Sequence, residues 1–155
     1  MSIRIYVPRE TTAASLGAEH VAAAIVAEAK YRNQDITLIR NGSRGACFLE
    51  PMVEVETDNG RLAYGPVTTD DIGDLFDADF LSGGSHKLSL GNPDEIPFFK
   101  NQERLTFARA GIIDAVSVEE YKSLGGFVGL TNTLAKSADE VVKEVLDSGL
   151  RGRGG

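Results

Sequence analysis

Ile3-Arg4-Ile5-Tyr6-Val7-Pro8, then the alanine-rich run from Ser15 to Arg32, then Ile36-Thr37-Leu38-Ile39: these three stretches decide the fold. Ile3 to Val7 alternates apolar with polar or charged residues at period two, the pattern of a half-buried strand. Pro8 ends it, because proline has no N–H to give a ladder. Ser15 to Arg32 changes to the helical period, with Ala18, Val21, Ala22, Ile25, Val26 and Ala29 on one stripe and Glu19, Glu28, Lys30 and Arg32 off it. A second strand over Ile36 to Ile39 completes a strand–helix–strand unit, which calls for a right-handed crossover onto a parallel neighbour.

Gly42 to Phe48 reads as a loop. Val53 to Glu56 and Arg61 to Tyr64 alternate around Thr57-Asp58-Asn59-Gly60, whose Asn-Gly pair favours the positive φ of a tight hairpin. Thr69 can cap a short helix with Asp70 and Asp71 in its first turn and Ile72, Leu75 and Phe76 on its buried side. The order βαβ then ββα is the thioredoxin-like arrangement, an α/β fold built on a mixed sheet with helices on both sides. It is expected to occupy residues 1–81.

Ser82 to Glu95 turns to Gly, Ser, Asn and Pro and reads as a connector. From Pro97 a helical pattern is expected, with Phe98, Phe99, Leu105, Phe107, Ala108 and Ile112 interleaved with Lys100, Arg104 and Arg109. Two further helices have capping-box starts, Ser117-Val118-Glu119-Glu120 and Ser137-Ala138-Asp139-Glu140. The last carries Val141, Val142 and Val145 and closes at Ser148-Gly149. Residues 96–155 thus form a small helical segment after the 82–95 linker.

The chain of 155 residues carries a net charge of −7, and residues 1–81 hold 13 acidic against 7 basic side chains. Such a surface repels phosphate backbones and anionic lipid, so soluble protein partners are expected rather than nucleic acid or membrane. No window reaches the roughly 18 apolar residues of a membrane span, and the first residues lack a signal-peptide pattern, so a cytoplasmic location is expected. One cysteine, Cys47, cannot form an internal disulfide and cannot alone hold a metal centre that needs about four ligands. Cys47 is read as a small buried hydrophobe, and His20 and His86 as surface histidines. Asp70, Asp71, Asp74, Asp77 and Asp79 lack the spacing of a calcium loop and read as a solvated helix face.

The segment with the sharpest chemistry is Leu150-Arg151-Gly152-Arg153-Gly154-Gly155. Glycines let main-chain amides approach a phosphate, and arginine adds a permanently charged fork of donors, which together suit a flavin or dinucleotide. A flexible basic tail is the plain alternative. The residues before it add context: Ile96-Pro97-Phe98-Phe99-Lys100-Asn101-Gln102-Glu103-Arg104, Ala110-Gly111-Ile112-Ile113-Asp114, Glu119-Glu120-Tyr121, Gly125-Gly126-Phe127, Leu134, and Ser148-Gly149 leading into the tail. Over these 60 residues, in order and spacing, the chain resembles the opening of the flavin-binding domain of one family. That family comprises the NADH-binding subunit of respiratory complex I, the diaphorase subunits of NAD-linked hydrogenases and the beta subunit of soluble NAD-dependent formate dehydrogenases. Asn41-Gly42-Ser43-Arg44-Gly45, Gly65-Pro66-Val67 and Leu105-Thr106-Phe107-Ala108-Arg109 look most like the formate dehydrogenase branch.

The resemblance implies that the glycine-rich loop continues past Gly155, so that the chain is the front portion of a larger subunit. It also implies that Gly152, Arg153, Gly154 and Gly155 are the first residues to contact FMN. The full subunit would pass electrons between NAD, FMN and iron–sulfur clusters, with the NADH motif and a [4Fe–4S] site downstream. Its partners would be an iron–sulfur gamma-type subunit and a molybdenum or tungsten alpha-type subunit. The loop Asn41 to Pro51 resembles that of thioredoxin-like [2Fe–2S] ferredoxin domains, in which two cysteines four apart precede a proline. Here Ser43 stands at the first position and only Cys47 remains, and no cysteine lies between Pro8 and Ala14, where the other pair belongs. The first domain is therefore expected to be a cluster-less relic. The fragment alone is expected to lack NADH oxidation and to carry no FMN. The competing reading is a non-enzymatic docking or adaptor module.

Overall fold

A computed structural model describes residues 2–152 and Gly154. Five strands form one mixed sheet in the order β2-β1-β3-β4-β5: β1 (Ile3–Tyr6), β2 (Ile36–Ile39), β3 (Val53–Thr57), β4 (Gly60–Tyr64) and β5 (Ser89–Gly91). β1 runs parallel to β2, with Ile3 opposite Ile36, and antiparallel to β3, with Ile5 opposite Val55. β3 and β4 form the expected hairpin, in which Val53 faces Tyr64 and Thr57 faces Gly60. The chain order βαβ–ββα on this sheet is the thioredoxin-like α/β fold.

Ladder alternation sorts the side chains. Ile5, Val7, Val53, Val55 and Tyr64 point to one face, where α2 (Ala18–Tyr31) lays down Ala18, Val21, Ala22, Ile25 and Ala29, all buried. Val26, expected on that stripe, is 45% exposed, because the stripe that meets the sheet is narrower than the run of apolar residues. A short α1 (Thr11–Ser15) precedes α2, its first amides at Thr12 and Ala13 capped by Glu10. α3 (Ile72–Asp77) buries Ile72, Leu75 and Phe76 as expected. Its cap lies one residue earlier than the sequence suggested: Thr68 forms a capping box with Asp71 over the one-turn helix Thr69–Asp71. Phe80 closes this core edge-on to Tyr64 and Phe76.

Three departures follow from packing that local pattern does not reveal. Ser82 to Glu95 contains a strand, since β5 pairs with β4 through Gly91 opposite Ala63; three residues are too short to show a period. Among the described residues, the second sheet face carries short helices rather than a long one. One-turn helices at Cys47–Leu49 and Pro93–Glu95, α4 (Pro97–Lys100) and the segment after it cover that face, around a small cluster of Ala46, Met52, Ala63 and Phe99. The helical pattern expected from Pro97 onward stops at Lys100. Beyond it Leu105 and Phe107 are 92% and 72% exposed, so their apparent helical spacing buries nothing.

The chain divides into two compact units, Met1–Ser117 and Val118–Gly155. The second holds α5 (Val118–Ser123), α6 (Val128–Leu134) and α7 (Ala138–Asp147). The Ser137–Glu140 capping box forms as read from the sequence, and the helix closes at Ser148 with Gly149 in the left-handed region at φ 65°. None of the described residues of this unit is buried. Among the described residues, no helix is long and apolar enough to cross a membrane.

Candidate functional site

The loop leaving β2 brings polar chemistry to the second sheet face. Glu54 stands between Val53 and Val55 on β3, so alternation turns it away from the main core, yet it is only 1% exposed. Arg44 reaches it with two parallel bonds, Nε to Oε1 at 2.6 Å and Nη2 to Oε2 at 3.0 Å, and bonds Asp94 through Nη1 at 3.0 Å. Arg61 adds a third contact to Glu54 at 3.2 Å. Burial works against the charge of Arg44, but the Glu54 hydrogen bonds and charge outweigh it and hold the guanidinium above its ordinary pKa. Arg61 also places its Cζ over the Tyr6 ring, 3.4 Å from its centre. The Tyr6 hydroxyl donates to Glu56 at 2.6 Å, and burial, then that bond, raises its pKa.

The same arginines tie down residues 101–114. Arg61 donates to the carbonyls of Gly111 at 2.9 Å and Ile112 at 2.7 Å. Asn41, 1% exposed, donates from Nδ2 to Gly111 O at 2.8 Å, while its Oδ1 has no partner. Arg104 donates to the carbonyl of Arg44 at 2.6 Å. Gly111 has φ 80°, and a Cβ there would lie 2.3 Å from Arg44 Cγ, so this approach requires glycine. Between the Arg104 and Gly111 anchors runs the segment that holds Leu105, Thr106, Phe107 and Ala110. It bounds a cleft of about 540 Å³ with Ser43, Arg44 and Gly45 on one side and Arg104, Leu105 and Phe107 on the other. The cleft combines apolar walls with the carboxylate of Glu103 and the hydroxyl of Thr106, groups suited to binding.

The residues singled out from sequence fall elsewhere. Gly152 and Gly154 are exposed, and a Cβ on either would meet no atom within 4 Å. Arg153 and Gly155 lie outside the described residues. Cys47 is exposed, which corrects its reading as a buried hydrophobe: the one-turn helix Cys47–Leu49 sends Ala46, 2% exposed, into the small cluster and turns the thiol outward. His20 is exposed. His86 is half-buried, and its Nδ1 accepts from Leu88 N at 3.3 Å. Of the five aspartates, Asp71 serves the capping box and pairs with Lys87, Asp77 pairs with Arg32, and Asp79 accepts from Ser82.

The donor set does not fit a [2Fe–2S] cluster. Ser43 Oγ donates to Glu50 Oε1 at 2.6 Å and accepts from Gly45 N at 2.9 Å. The segment after β1 supplies the Glu10 cap and the buried methyl of Ala13 rather than thiolates. Among the described residues, no three His, Cys, Asp or Glu side chains gather as a metal site. Sequence reading missed Arg44, Glu54, Arg61 and Asn41 as a group, because a charged residue in an alternating strand ordinarily faces water.

No family model matches the chain. Over 56 residues, 36% of this chain, it is 45% identical to the NADP-reducing hydrogenase subunit HndC of Solidesulfovibrio fructosivorans, and the match spans 11% of that protein. Among solved structures, a thioredoxin-like [2Fe–2S] ferredoxin from Aquifex aeolicus aligns with 59% of this chain and 98% of its own, at 18% identity and a TM-score of 0.47. A second structure of a thioredoxin-like [2Fe–2S] ferredoxin from that organism aligns with 62% and 96%, at 18% identity and a TM-score of 0.48.

Proposed function

We propose that this chain is the N-terminal portion of an NAD(P)-linked electron-transfer subunit of the diaphorase kind, working inside a multi-subunit oxidoreductase. The observation that carries this reading is the 45% identity over 56 residues to a hydrogenase subunit. The thioredoxin-like unit, with one thiol in the whole sequence, serves docking rather than cluster binding. Gly152, Arg153, Gly154 and Gly155 are the first residues to contact FMN, glycine amides and an arginine guanidinium being groups that suit a phosphate. A bound flavin supplies the exchange between two-electron hydride transfer and one-electron clusters. We place the parent enzyme among soluble NAD-dependent formate dehydrogenases, on the strings Asn41 to Gly45 and Leu105 to Arg109. An NAD-linked hydrogenase is the second reading, favoured by the name of the matched relative.

The test is the native complex purified from its source. It is expected to contain FMN and to reduce an artificial dye with NAD(P)H. Formate or hydrogen as the electron donor separates the two readings. In the full subunit, Gly154→Val is expected to lower FMN content by tenfold or more, about 1.4 kcal/mol of binding. A native complex without flavin and without dye reduction overturns the proposal.

A further inference from the structure

Two buried carboxylates lie four residues apart and are treated differently. Glu54, 1% exposed, meets two guanidinium groups. Glu50, 5% exposed, meets none: its Oε1 accepts from Ser43 Oγ at 2.6 Å and its Oε2 from Met52 N at 2.9 Å. Two further carboxylates act on Glu50, Glu10 at the start of α1 and Glu54 on β3, while Arg44 pairs with Glu54 and Asp94. A buried carboxylate without a counter-charge is costly, so burial first, then its like-charged neighbours, favour the neutral acid over the two hydrogen bonds that help the ion.

Neutralising Glu50 breaks neither bond. A protonated Oε1 can donate to Ser43 Oγ while Oε2 still accepts from Met52 N. Ser43 in turn accepts from Gly45 N at 2.9 Å, so this one carboxyl group joins the beginning of the loop to its end. Between those points lie the exposed Cys47 and Phe48, and Ser43, Arg44 and Gly45 form a wall of the 540 Å³ cleft.

We propose that Glu50 is a proton-dependent latch on the Ser43–Met52 loop, closed when the carboxyl is neutral and loosened when it ionises, so that proton activity sets the shape of the cleft wall. This device belongs to the thioredoxin-like unit and stands whichever oxidoreductase the chain serves.

The test uses the 155-residue chain labelled with ¹³C and ¹⁵N. The Glu50 carboxyl is expected to titrate above the exposed glutamates. Amide exchange at Gly45 and Met52, corrected for its intrinsic pH dependence, is expected to quicken along the same curve. Glu50→Gln removes the pH-dependent part, and Glu10→Gln moves the curve to lower pH by removing a like charge. Titration of Glu50 together with exposed glutamates overturns the latch, as does exchange in Glu50→Gln with wild-type pH dependence. If Glu50→Gln does not fold, an unshifted curve in Glu10→Gln overturns it.

Discussion

Arg44 is the residue on which most of the second sheet face depends. It fills two lone pairs of Glu54, reaches Asp94, and lends its own carbonyl to Arg104. Removing one partner of a buried pair leaves an uncompensated charge, so Arg44→Met is expected to cost about 3–5 kcal/mol, read as a lower urea midpoint. Residual Arg61–Glu54 pairing places the result toward the lower end. Gly111→Ala sets a methyl against Arg44 Cγ in a left-handed backbone, and a loss of about 1–3 kcal/mol is expected by the same measurement. Glu50 gives stability a pH dependence of the less usual sign. Its folded pKa is raised by burial, so between the unfolded and folded values the native state holds a proton that the unfolded state has released. Stability contributed here falls as pH rises through that window. Glu50→Gln is expected to flatten this slope and to raise the thermal midpoint at neutral pH; an unchanged slope would count against it.

At the scale of elements, α3 shows how a cap and a buried stripe cooperate. Thr68 and Asp71 satisfy first-turn amides, and Leu75, 0% exposed, anchors the helix on the sheet. Thr68→Ala is expected to lower global stability by about 1 kcal/mol. Leu75→Ala is expected to cost about 2–5 kcal/mol through the cavity it leaves. Because cap and core residue act on one helix, the double variant is expected to fall short of the sum in denaturant titration. The hairpin between β3 and β4 is closed differently from the plain Asn-Gly expectation. The positive φ falls on Gly60, at 103°, and the Thr57 hydroxyl donates to Gly60 O while accepting from Asn59 N.

For the whole molecule, the contrast between the two units is thermodynamic. Among the described residues, every buried side chain lies in the unit up to Ser117, whereas α5, α6 and α7 bury none. With only partial apolar burial, as at Tyr121 and Val141, to offset chain entropy, a 38-residue unit has little cooperative stability of its own. Limited proteolysis is therefore expected to cut first between Val118 and Gly152 and to leave a resistant product close to the first unit. Amide exchange in α7 is expected to be faster than in β1 by several orders of magnitude. Equal protection in α7 and β1 would contradict this account. Val142, Val145 and Leu146 stand exposed along α7.

Period and punctuation alone determined β1, α2, β2, the β3–β4 hairpin, the stripe of α3 and the Ser137 capping box, because those features depend on neighbours within a few residues. The α/β class, the parallel β1–β2 pair and the β3–β4 hairpin follow from them, and composition alone gives the shortage of thiols for a cluster. Only the tertiary structure decided that Ser89–Gly91 is a strand and that residues 101–112 are an anchored loop rather than a helix. It alone turned Cys47 outward, and it alone left one of two buried glutamates without a counter-charge. Those outcomes depend on contacts across 10 to 70 residues, such as Arg44 to Glu54 and Asn41 to Gly111, and no local period reports them.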